Sequence, residues 1–202
     1  MHPMRVQHLR EILNARGINH LVHCTPLDNL ESILTHGLVP VETISQSRTI
    51  HGVRTDRRRL DGNLTATCCS VQKPNTAHLR RGFRNIGEQA VVIISPDVVL
   101  NKICAFYPRN AAARKFRFPS LRYWQRSERF EELFADNEAR KDREGVRFPD
   151  NWTTNEEAEV HVFGNIETDY IEQVSINHRY HRKSFERRFP DLDVIPFMPG
   201  WI

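Results

Sequence analysis

The sequence lacks the features that mark several common classes of protein. No apolar run approaches the roughly 20 residues that a membrane-spanning helix needs, so no membrane partner is expected. The opening stretch, MHPMRVQHLREILNARG, carries charges where a signal peptide has its apolar segment, so we expect no export signal. There is also no glycine-rich phosphate loop of either common type and no internal repeat.

Cysteine is scarce as well. The four cysteines, at positions 24, 68, 69 and 104, show neither the paired spacing of metal ligands nor a disulfide framework. Reduced thiols fit this pattern best, as in proteins of a reducing compartment. The sequence therefore predicts a cytoplasmic protein without a metal site.

The remaining composition is that of a globular protein. The chain of 202 residues is 39% hydrophobic and 27% charged, which separates it from disordered sequences and allows one domain with a sizeable core. Predicted helices come early and predicted strands late, without a regular alternation of strand and helix. This order favours the α+β class, with a single domain over residues 1–202.

Local patterns predict the individual elements. An apolar stripe favours a helix over residues 5–16, and Asp28 is the expected N-cap of a second helix that ends at Gly37. Residues 41–63 show no periodicity and are predicted to form a long loop. Further predictions are strands at 20–25, 64–71, 90–95, 159–164 and 170–176, a turn at 73–75 and a helix over 127–142.

Positive charge is clustered rather than spread evenly. The net charge is +4, and arginines gather at 54–59, 78–84, 108–118 and 178–188, where aromatic residues interleave with several of the clusters. A basic groove with stacking aromatic side chains suits single-stranded nucleic acid. A set of solvated charged faces would give the same pattern, so both interpretations stay open.

Three glutamates run directly into an apolar strand in NEEAEVHVFG. Residues i and i+2 of a strand share a face, so Glu157 and Glu159 are expected to point the same way, opposite Val160 and Val162. Two like charges side by side cost stability unless something uses or screens them. The pattern therefore marks either a site that uses carboxylates or a solvated strand end.

Four stretches, taken in order, resemble the DarT family of bacterial toxins, which ADP-ribosylate bases in single-stranded DNA. HCTPLDNLESILTHGL (23–38) is similar to the family's opening segment, and RRLDGNLTATCCSVQKPN (58–75) to its arginine-bearing segment. CAFYPRNAA (104–112) resembles a mid-chain segment that ends in Asn-Ala-Ala. EAEVHVFGNIETDYIEQV (157–174) resembles the segment that carries the catalytic glutamate.

The resemblance implies a fold, a reaction and partners. The fold would be that of ADP-ribosyltransferases, a split antiparallel β-sheet with flanking helices, and NAD would lie in the cleft as a substrate, without a metal. The reaction would move ADP-ribose from NAD to a DNA base and release nicotinamide. Single-stranded DNA and a hydrolase antitoxin that removes ADP-ribose would be the partners. The matched segments cover most of residues 20–176, which leaves 177–202 as a basic C-terminal segment.

The same resemblance assigns the catalytic roles. Glu159 matches the family's catalytic glutamate, which would stabilise positive charge on the ribose as nicotinamide leaves and could take a proton from the attacking base. Arg59 matches the active-site arginine, whose guanidinium group would bind the pyrophosphate of the NAD cofactor and the phosphate of the DNA. Because Arg57 and Arg58 are adjacent, a shift of register stays open. A solvated strand-end carboxylate is the alternative for Glu159.

Three residues match the cofactor side of the family's site. His23 and Thr25 lie at the end of the first predicted strand, where they could hydrogen-bond the nicotinamide amide and the ribose. Asn29 lies where the family also places cofactor contacts, although a role at the start of a capped helix would explain it as well. A structural role is the alternative for His23, because a lone histidine is more often structural than a ligand.

Substrate-binding residues are predicted on the DNA side of the site. Glu157 occupies the first position of the E-x-E spacing, which orients or deprotonates the acceptor in many ADP-ribosyltransferases. The DNA-modifying members are expected to have glutamine there, so Glu157 is a departure. Arg80, Arg81 and Phe83 could line the DNA path, and Trp152 could stack on a base. A solvated helix face is the alternative for Arg80, Arg81 and Phe83. Burial in the core is the alternative for Trp152.

The segment Arg-Leu-Asp-Gly, followed by Ser-x-x-x-Pro-Asn, is closer to the guanine branch of the family than to the thymine branch. Phosphate charge and base stacking serve DNA and RNA equally, so a transferase of the same fold that acts on RNA is one alternative. A non-catalytic module that binds single-stranded nucleic acid through its basic clusters is the other.

Overall fold

The structure is a computed structural model that describes residues 3–50, 52–53, 60–116, 119–135, 149–198 and 201. Its helices are α1 (Pro3–Arg16), α2 (Leu30–His36), α3 (Val41–Gln46), α4 (Thr76–Asn85), α5 (Val98–Asn101), α6 (Leu121–Trp124), α7 (Ser127–Glu131) and α8 (Arg179–Arg188). Its strands are β1 (Leu21–Pro26), β2 (Ala66–Val71), β3 (Gln89–Ile94), β4 (Cys104–Tyr107), β5 (Glu159–Phe163), β6 (Ile171–Ile176) and β7 (Asp193–Ile195). Short 3-10 turns cover Leu27–Asn29, Arg114–Phe116, Glu132–Phe134 and Thr168–Tyr170.

These strands form one mixed sheet in the order β4-β5-β2-β1-β3-β6-β7. The neighbouring pairs are antiparallel from β4 to β6, and β6 and β7 run parallel. The predicted α+β class, an antiparallel sheet with flanking helices, is confirmed. The parallel edge strand β7 was not predicted, because its three residues are too few to show a periodic pattern.

The sheet is split between β1 and β2. These two strands pair only at Leu21↔Val71 and Val22↔Ser70. Beyond that point β1 stays paired with β3 along its whole length, whereas β2 pairs with β5. The two halves of the sheet therefore diverge and leave a gap between the end of β1 and the start of β2.

Apolar side chains cover both faces of the sheet. All six residues of β3 are buried, which fits the continuous apolar run AVVII in the sequence. The main core joins α1, α2, α5, α7 and α8 to one face, and a smaller cluster joins α4 to the other through Leu79 and Phe83. Phe106 and Phe130 are fully buried in the main core, with ring centroids 4.9 Å apart.

The strand predictions agree with the structure. The predicted strands at 20–25, 64–71, 90–95, 159–164 and 170–176 correspond to β1, β2, β3, β5 and β6, and the predicted first helix corresponds to α1. The predicted order of early helices and late strands is wrong, because strands and helices are interspersed along the chain. Seven elements were missed: α3, α4, α5, α6, α8, β4 and β7.

The predicted N-cap of α2 is wrong. A 3-10 turn over Leu27–Asn29 intervenes, so Asn29 rather than Asp28 stands at the N-cap. The Asn29 side chain makes no capping bond, because its amide is engaged with the backbone of Val53. Gly37 ends the helix as predicted, with φ of 78°.

The loop predicted over 41–63 and the helix predicted over 127–142 also differ from the structure. The helix α3 lies inside the predicted loop 41–63, and it buries no residue, so it leaves no apolar stripe in the sequence. The predicted helix over 127–142 is shorter: α7 ends at Glu131, and a 3-10 turn continues to Phe134. Residues 136–148 lie outside the described part of the chain.

Within the part of the chain that the structure describes, no helix is both long enough and apolar enough to cross a membrane.

Candidate functional site

The gap in the sheet opens into a cavity of about 1020 Å³. Its walls come from the diverging ends of β1 and β2, from α2 and α3, from one side of α4, and from the segment that enters β5. Sites for small molecules and cofactors usually measure about 300–1,000 Å³. The cavity is therefore large enough for a dinucleotide.

Three of the four residues predicted to bind NAD, namely His23, Thr25 and Asn29, line one wall of this cavity. His23 Nδ1 donates to the Cys68 carbonyl at 2.8 Å and so bridges the split in the sheet. Because a carbonyl only accepts, Nδ1 carries a proton. Thr25 is buried, and its hydroxyl accepts a hydrogen bond from Asn29 Nδ2 at 2.9 Å.

Asn29 also holds the chain at Val53. Its Oδ1 accepts from the Val53 backbone N–H at 2.6 Å, and its Nδ2 donates to the Val53 carbonyl at 2.9 Å. This pair of bonds places the chain entering segment 54–59 at the cavity, which Val53 and Leu60 both border. Asn29, in the first motif, thus anchors the chain at Val53, five residues before the second motif begins.

The predicted active-site arginine cannot be placed in the same way. Arg59 and its neighbours Arg57 and Arg58 lie outside the described residues. The choice among the three therefore stays a prediction.

Glu159 opens β5 and reaches the cavity. Its side chain is 22% exposed, and Oε2 accepts from the Ala111 backbone N–H at 3.1 Å and from His161 Nε2 at 2.9 Å. Ala111 belongs to the Asn-Ala-Ala segment that follows β4, so that segment brings a backbone donor to the glutamate. A carboxylate held in this way, beside a cavity, can stabilise positive charge that develops in a bound substrate.

His161 is a site residue that the sequence analysis missed. It is fully buried beside Glu159 in β5. Its Nδ1 lies 2.9 Å from Asn63 Nδ2, whose amide also donates to the Tyr107 hydroxyl at 3.1 Å, and its Nε2 lies 3.3 Å from Cys68 Sγ. A signal was present, because residues i and i+2 of a strand share a face.

The neighbours of this ring set its protonation. Burial lowers the pKa of His161, but the adjacent Cys68 and the hydrogen bond to Glu159 outweigh that effect and raise the pKa to about 10. Burial also raises the pKa of Tyr107. The Glu159 carboxylate therefore faces a histidine that favours donation from Nε2, and the Tyr107 ring packs against that histidine.

One group of described side chains has the chemistry of metal ligands. Asp61, Cys68 and His161 each offer a donor atom, and these atoms lie within 4.8 Å of one another. Zinc accepts such donors, but Asn63 and Glu159 already partner the two ring nitrogens of His161. A metal would have to displace one of them, so the arrangement suits hydrogen bonding. The absence of a metal site stays a prediction.

Glu157 lies at the mouth of the cavity, two residues before Glu159. It is exposed, and its backbone N–H donates to Asn155 Oδ1 at 2.8 Å, which fixes the turn before β5. Both carboxylates border the same cavity, although Glu157 precedes the strand rather than lying in it.

The remaining predicted substrate-binding residues are distributed differently. Arg81 lines the cavity, whereas Arg80 does not border the part of it formed by described residues. Phe83 is half-buried in the smaller hydrophobic cluster, with its ring centroid 6.0 Å from that of Phe197. Trp152 is half-buried, and Lys73 Nζ lies 4.7 Å from the centre of its ring. Only Arg81 of this group joins the glutamates at the cavity.

A split sheet whose gap presents a glutamate at a strand entrance, in a cavity of dinucleotide size, is the arrangement that the resemblance to ADP-ribosyltransferases implied. The family model described as "ssDNA thymidine ADP-ribosyltransferase, DarT" matches residues 22–198. Because this match covers most of the chain, the protein belongs to the DarT family and is an NAD-dependent DNA ADP-ribosyltransferase.

Solved structures of DarT proteins share the fold. Thermosipho africanus DarTG in complex with ADP-ribose has a TM-score of 0.60 and 14% identity, over 88% of this chain and 50% of that one. Thermus sp. 2.9 DarT in complex with carba-NAD+ has a TM-score of 0.60 and 15% identity, over 91% and 97%. The same DarT in complex with ADP-ribosylated ssDNA has a TM-score of 0.58 and 15% identity, and the match covers 90% of this chain and 95% of that one. No curated protein matches the sequence.

At these identities the likeness establishes the fold, and it confirms the ADP-ribosyltransferase fold expected from the sequence motifs. The chain spans half the length of the DarTG chain that it matches.

Proposed function

We propose that the protein transfers ADP-ribose from NAD to a guanine base of single-stranded DNA, with Glu159 as the catalytic residue. The observation that carries this proposal is the Glu159 carboxylate, which two N–H donors hold at the cavity. Glu159 would stabilise the positive charge on the ribose as the bond from C1′ to nicotinamide breaks. Nicotinamide leaves with the bonding electrons, a base nitrogen bonds to C1′, and Glu159 can accept the proton that this nitrogen loses.

NAD binding is assigned to the wall formed by β1 and α2. His23, Thr25 and Asn29 border the cavity there, and Arg59 would meet the pyrophosphate, because the described residues on both sides of its segment border the same cavity. The similar Thermus sp. 2.9 DarT binds NAD+ and carba-NAD+, which supports this assignment.

Guanine is favoured because of the carboxylate of Glu157. The Watson–Crick edge of guanine presents two adjacent N–H donors, which one carboxylate can accept together. Thymine presents one N–H between two carbonyl oxygens, which a carboxylate repels. The description of the matched family names thymidine, so this residue would distinguish the protein from members that modify thymine.

Replacing Glu157 with glutamine is expected to move the base preference toward thymine, because an amide offers one acceptor and one donor instead of two acceptors. Good bidentate base contacts provide about 1–3 kcal/mol of discrimination, so the guanine-to-thymine ratio of kcat/KM should fall roughly 5- to 150-fold. The ratio is measured by mass spectrometry on oligonucleotides with a single guanine or a single thymine.

Glu156→Gln is the matched control for that experiment. Glu156 is exposed, accepts a hydrogen bond from the Thr76 hydroxyl at 3.1 Å, and does not border the described cavity. It should leave the ratio unchanged. An unchanged ratio in Glu157→Gln would instead remove Glu157 from base selection.

We propose that single-stranded DNA passes Arg81 at the cavity. It would contact Arg80, Phe83 and Trp152 only outside the cavity. Arg81→Ala should weaken binding of single-stranded DNA and reduce the slope of log affinity against log salt by about 0.7, the value expected for one lost phosphate contact. Arg80→Ala, one residue away on the same helix, should change both quantities less. Fluorescence anisotropy over a salt series measures the DNA affinity and its salt dependence. Equal effects of Arg80→Ala and Arg81→Ala would contradict this path.

We also propose a toxin role, a cytoplasmic location and a partner antitoxin that removes ADP-ribose. The match to DarTG supports the toxin and antitoxin roles, and the reduced cysteines support the location.

Mass spectrometry of single-stranded oligonucleotides incubated with the protein and NAD tests the proposed function. An adduct on guanine that is absent with Glu159→Ala is the expected result. An adduct on thymine alone would reject the assignment of the base, and an adduct on RNA alone would reject DNA as the substrate. Intact NAD and no adduct on either nucleic acid would reject the enzyme and favour a non-catalytic module that binds nucleic acid.

A further inference from the structure

The Glu159 side chain receives one hydrogen bond from another side chain in the described structure. His161 Nε2 lies 2.9 Å from Glu159 Oε2, the oxygen that also accepts from the Ala111 backbone. His161 is fully buried, whereas Glu159 is partly exposed to the cavity. The histidine therefore contacts the carboxylate from the protein interior and does not border the cavity itself.

The orientation of this histidine is set by a second layer of contacts. Asn63 Nδ2 lies 2.9 Å from His161 Nδ1, and the ring centroids of His161 and Tyr107 are 4.8 Å apart. With the amide nitrogen of Asn63 as donor, Nδ1 accepts and the ring proton resides on Nε2. When the ring is doubly protonated, a half-turn of the amide presents its oxygen to Nδ1–H. In both cases Nε2–H donates to Glu159.

Stability alone does not explain a histidine at this position. Its neighbours in β5, Val160 and Val162, are buried apolar residues. Replacing a whole buried polar or ionic pair with apolar residues of similar volume is often neutral or stabilising, whereas removing one partner of such a pair is destabilising. A histidine here, with Nδ1 held by Asn63 and Nε2 facing Glu159 as well as the Cys68 thiol, points to a role in the site.

We propose that His161 is a positioning residue, which holds the Glu159 carboxylate in the orientation required at the ribose of NAD. This inference rests on the proposed function of Glu159. Misplacement of a reacting group by about 1 Å can lower a rate about 100-fold, so a fixed carboxylate has a measurable effect.

Steady-state kinetics of the full chain with NAD and a single-stranded oligonucleotide tests the inference. His161→Leu and His161→Met remove the donor, and kcat should fall about 100-fold while KM for NAD and DNA affinity change little. Both variants should also lower the melting temperature, because the buried Asn63 amide loses its partner. His161→Gln retains an N–H near the position of Nε2, and its kcat should stay within about tenfold of the wild type.

His20→Gln is the matched control, because His20 bonds the Gln72 carbonyl at 3.0 Å outside the cavity and should leave kcat unchanged. The inference is overturned if either apolar variant retains full kcat. It is also overturned if leucine, methionine and glutamine lower the melting temperature and raise KM alike, as a structural role would require. No adduct with the wild type would instead overturn the proposed function, and this inference with it.

Discussion

Replacing Glu159 with glutamine is expected to lower kcat for ADP-ribose transfer by about 10²- to 10³-fold, the range found when one preorganised electrostatic contact to a transition state is removed. The amide oxygen of glutamine can still accept from Ala111 and His161, so the side chain keeps its place. What is lost is the negative charge that faces the ribose. Single-turnover transfer, followed by gel shift or mass spectrometry, measures the effect.

The same variant should bind single-stranded DNA with unchanged affinity and melt at the wild-type temperature. Glu156→Gln serves again as the control, because it removes an exposed carboxylate three residues earlier without altering the cavity. Wild-type turnover in Glu159→Gln would show that the glutamate is a solvated residue at the strand entrance.

Replacing Gly37 with alanine is expected to lower the free energy of unfolding by roughly 2–5 kcal/mol, from backbone strain and overpacking together. Gly37 has φ of 78° and ψ of −176°, a region that is almost restricted to glycine. A Cβ there would lie 2.2 Å from the Ile166 backbone oxygen. That oxygen cannot move freely, because it accepts from the Leu38 backbone N–H at 2.9 Å.

Gly164→Ala separates the two causes of this loss. Gly164 has φ of 79°, but an added Cβ would meet nothing within 4 Å. Its substitution should therefore show only the conformational cost, about 1–2 kcal/mol. Urea unfolding of both variants gives the comparison, provided that the m-values match. Equal losses would show that the contact with Ile166 relaxes without a cost in stability.

The sequence predicted those residues of the candidate site that lie in family motifs. His23, Thr25 and Asn29 come from one motif and Glu159 from another, and the structure brings all four to one cavity. His161 was missed, although its spacing from Glu159 in β5 was readable, because a lone histidine in an apolar strand is usually structural.

Residue type alone predicted the DNA-binding side less well. Arg80 and Arg81 are adjacent in the sequence and chemically identical, yet only Arg81 borders the described cavity. Phe83 packs in a hydrophobic cluster with Phe197, a partner far along the chain. Clusters of charge and aromatic residues are compatible with a negatively charged partner, but the face of a helix that meets such a partner depends on how the helix packs.

The sequence by itself determined the local properties of this protein: the buried strand β3, the glycine that ends α2, and the motifs that identify its family. The tertiary structure alone decided which groups meet Glu159 and His161. Ala111 is 48 residues from Glu159, and Asn63 is 98 residues from His161. Local periodicity reports the face that an element buries, whereas the partner of a buried polar group is set by strand pairing, in which β5 lies between β4 and β2.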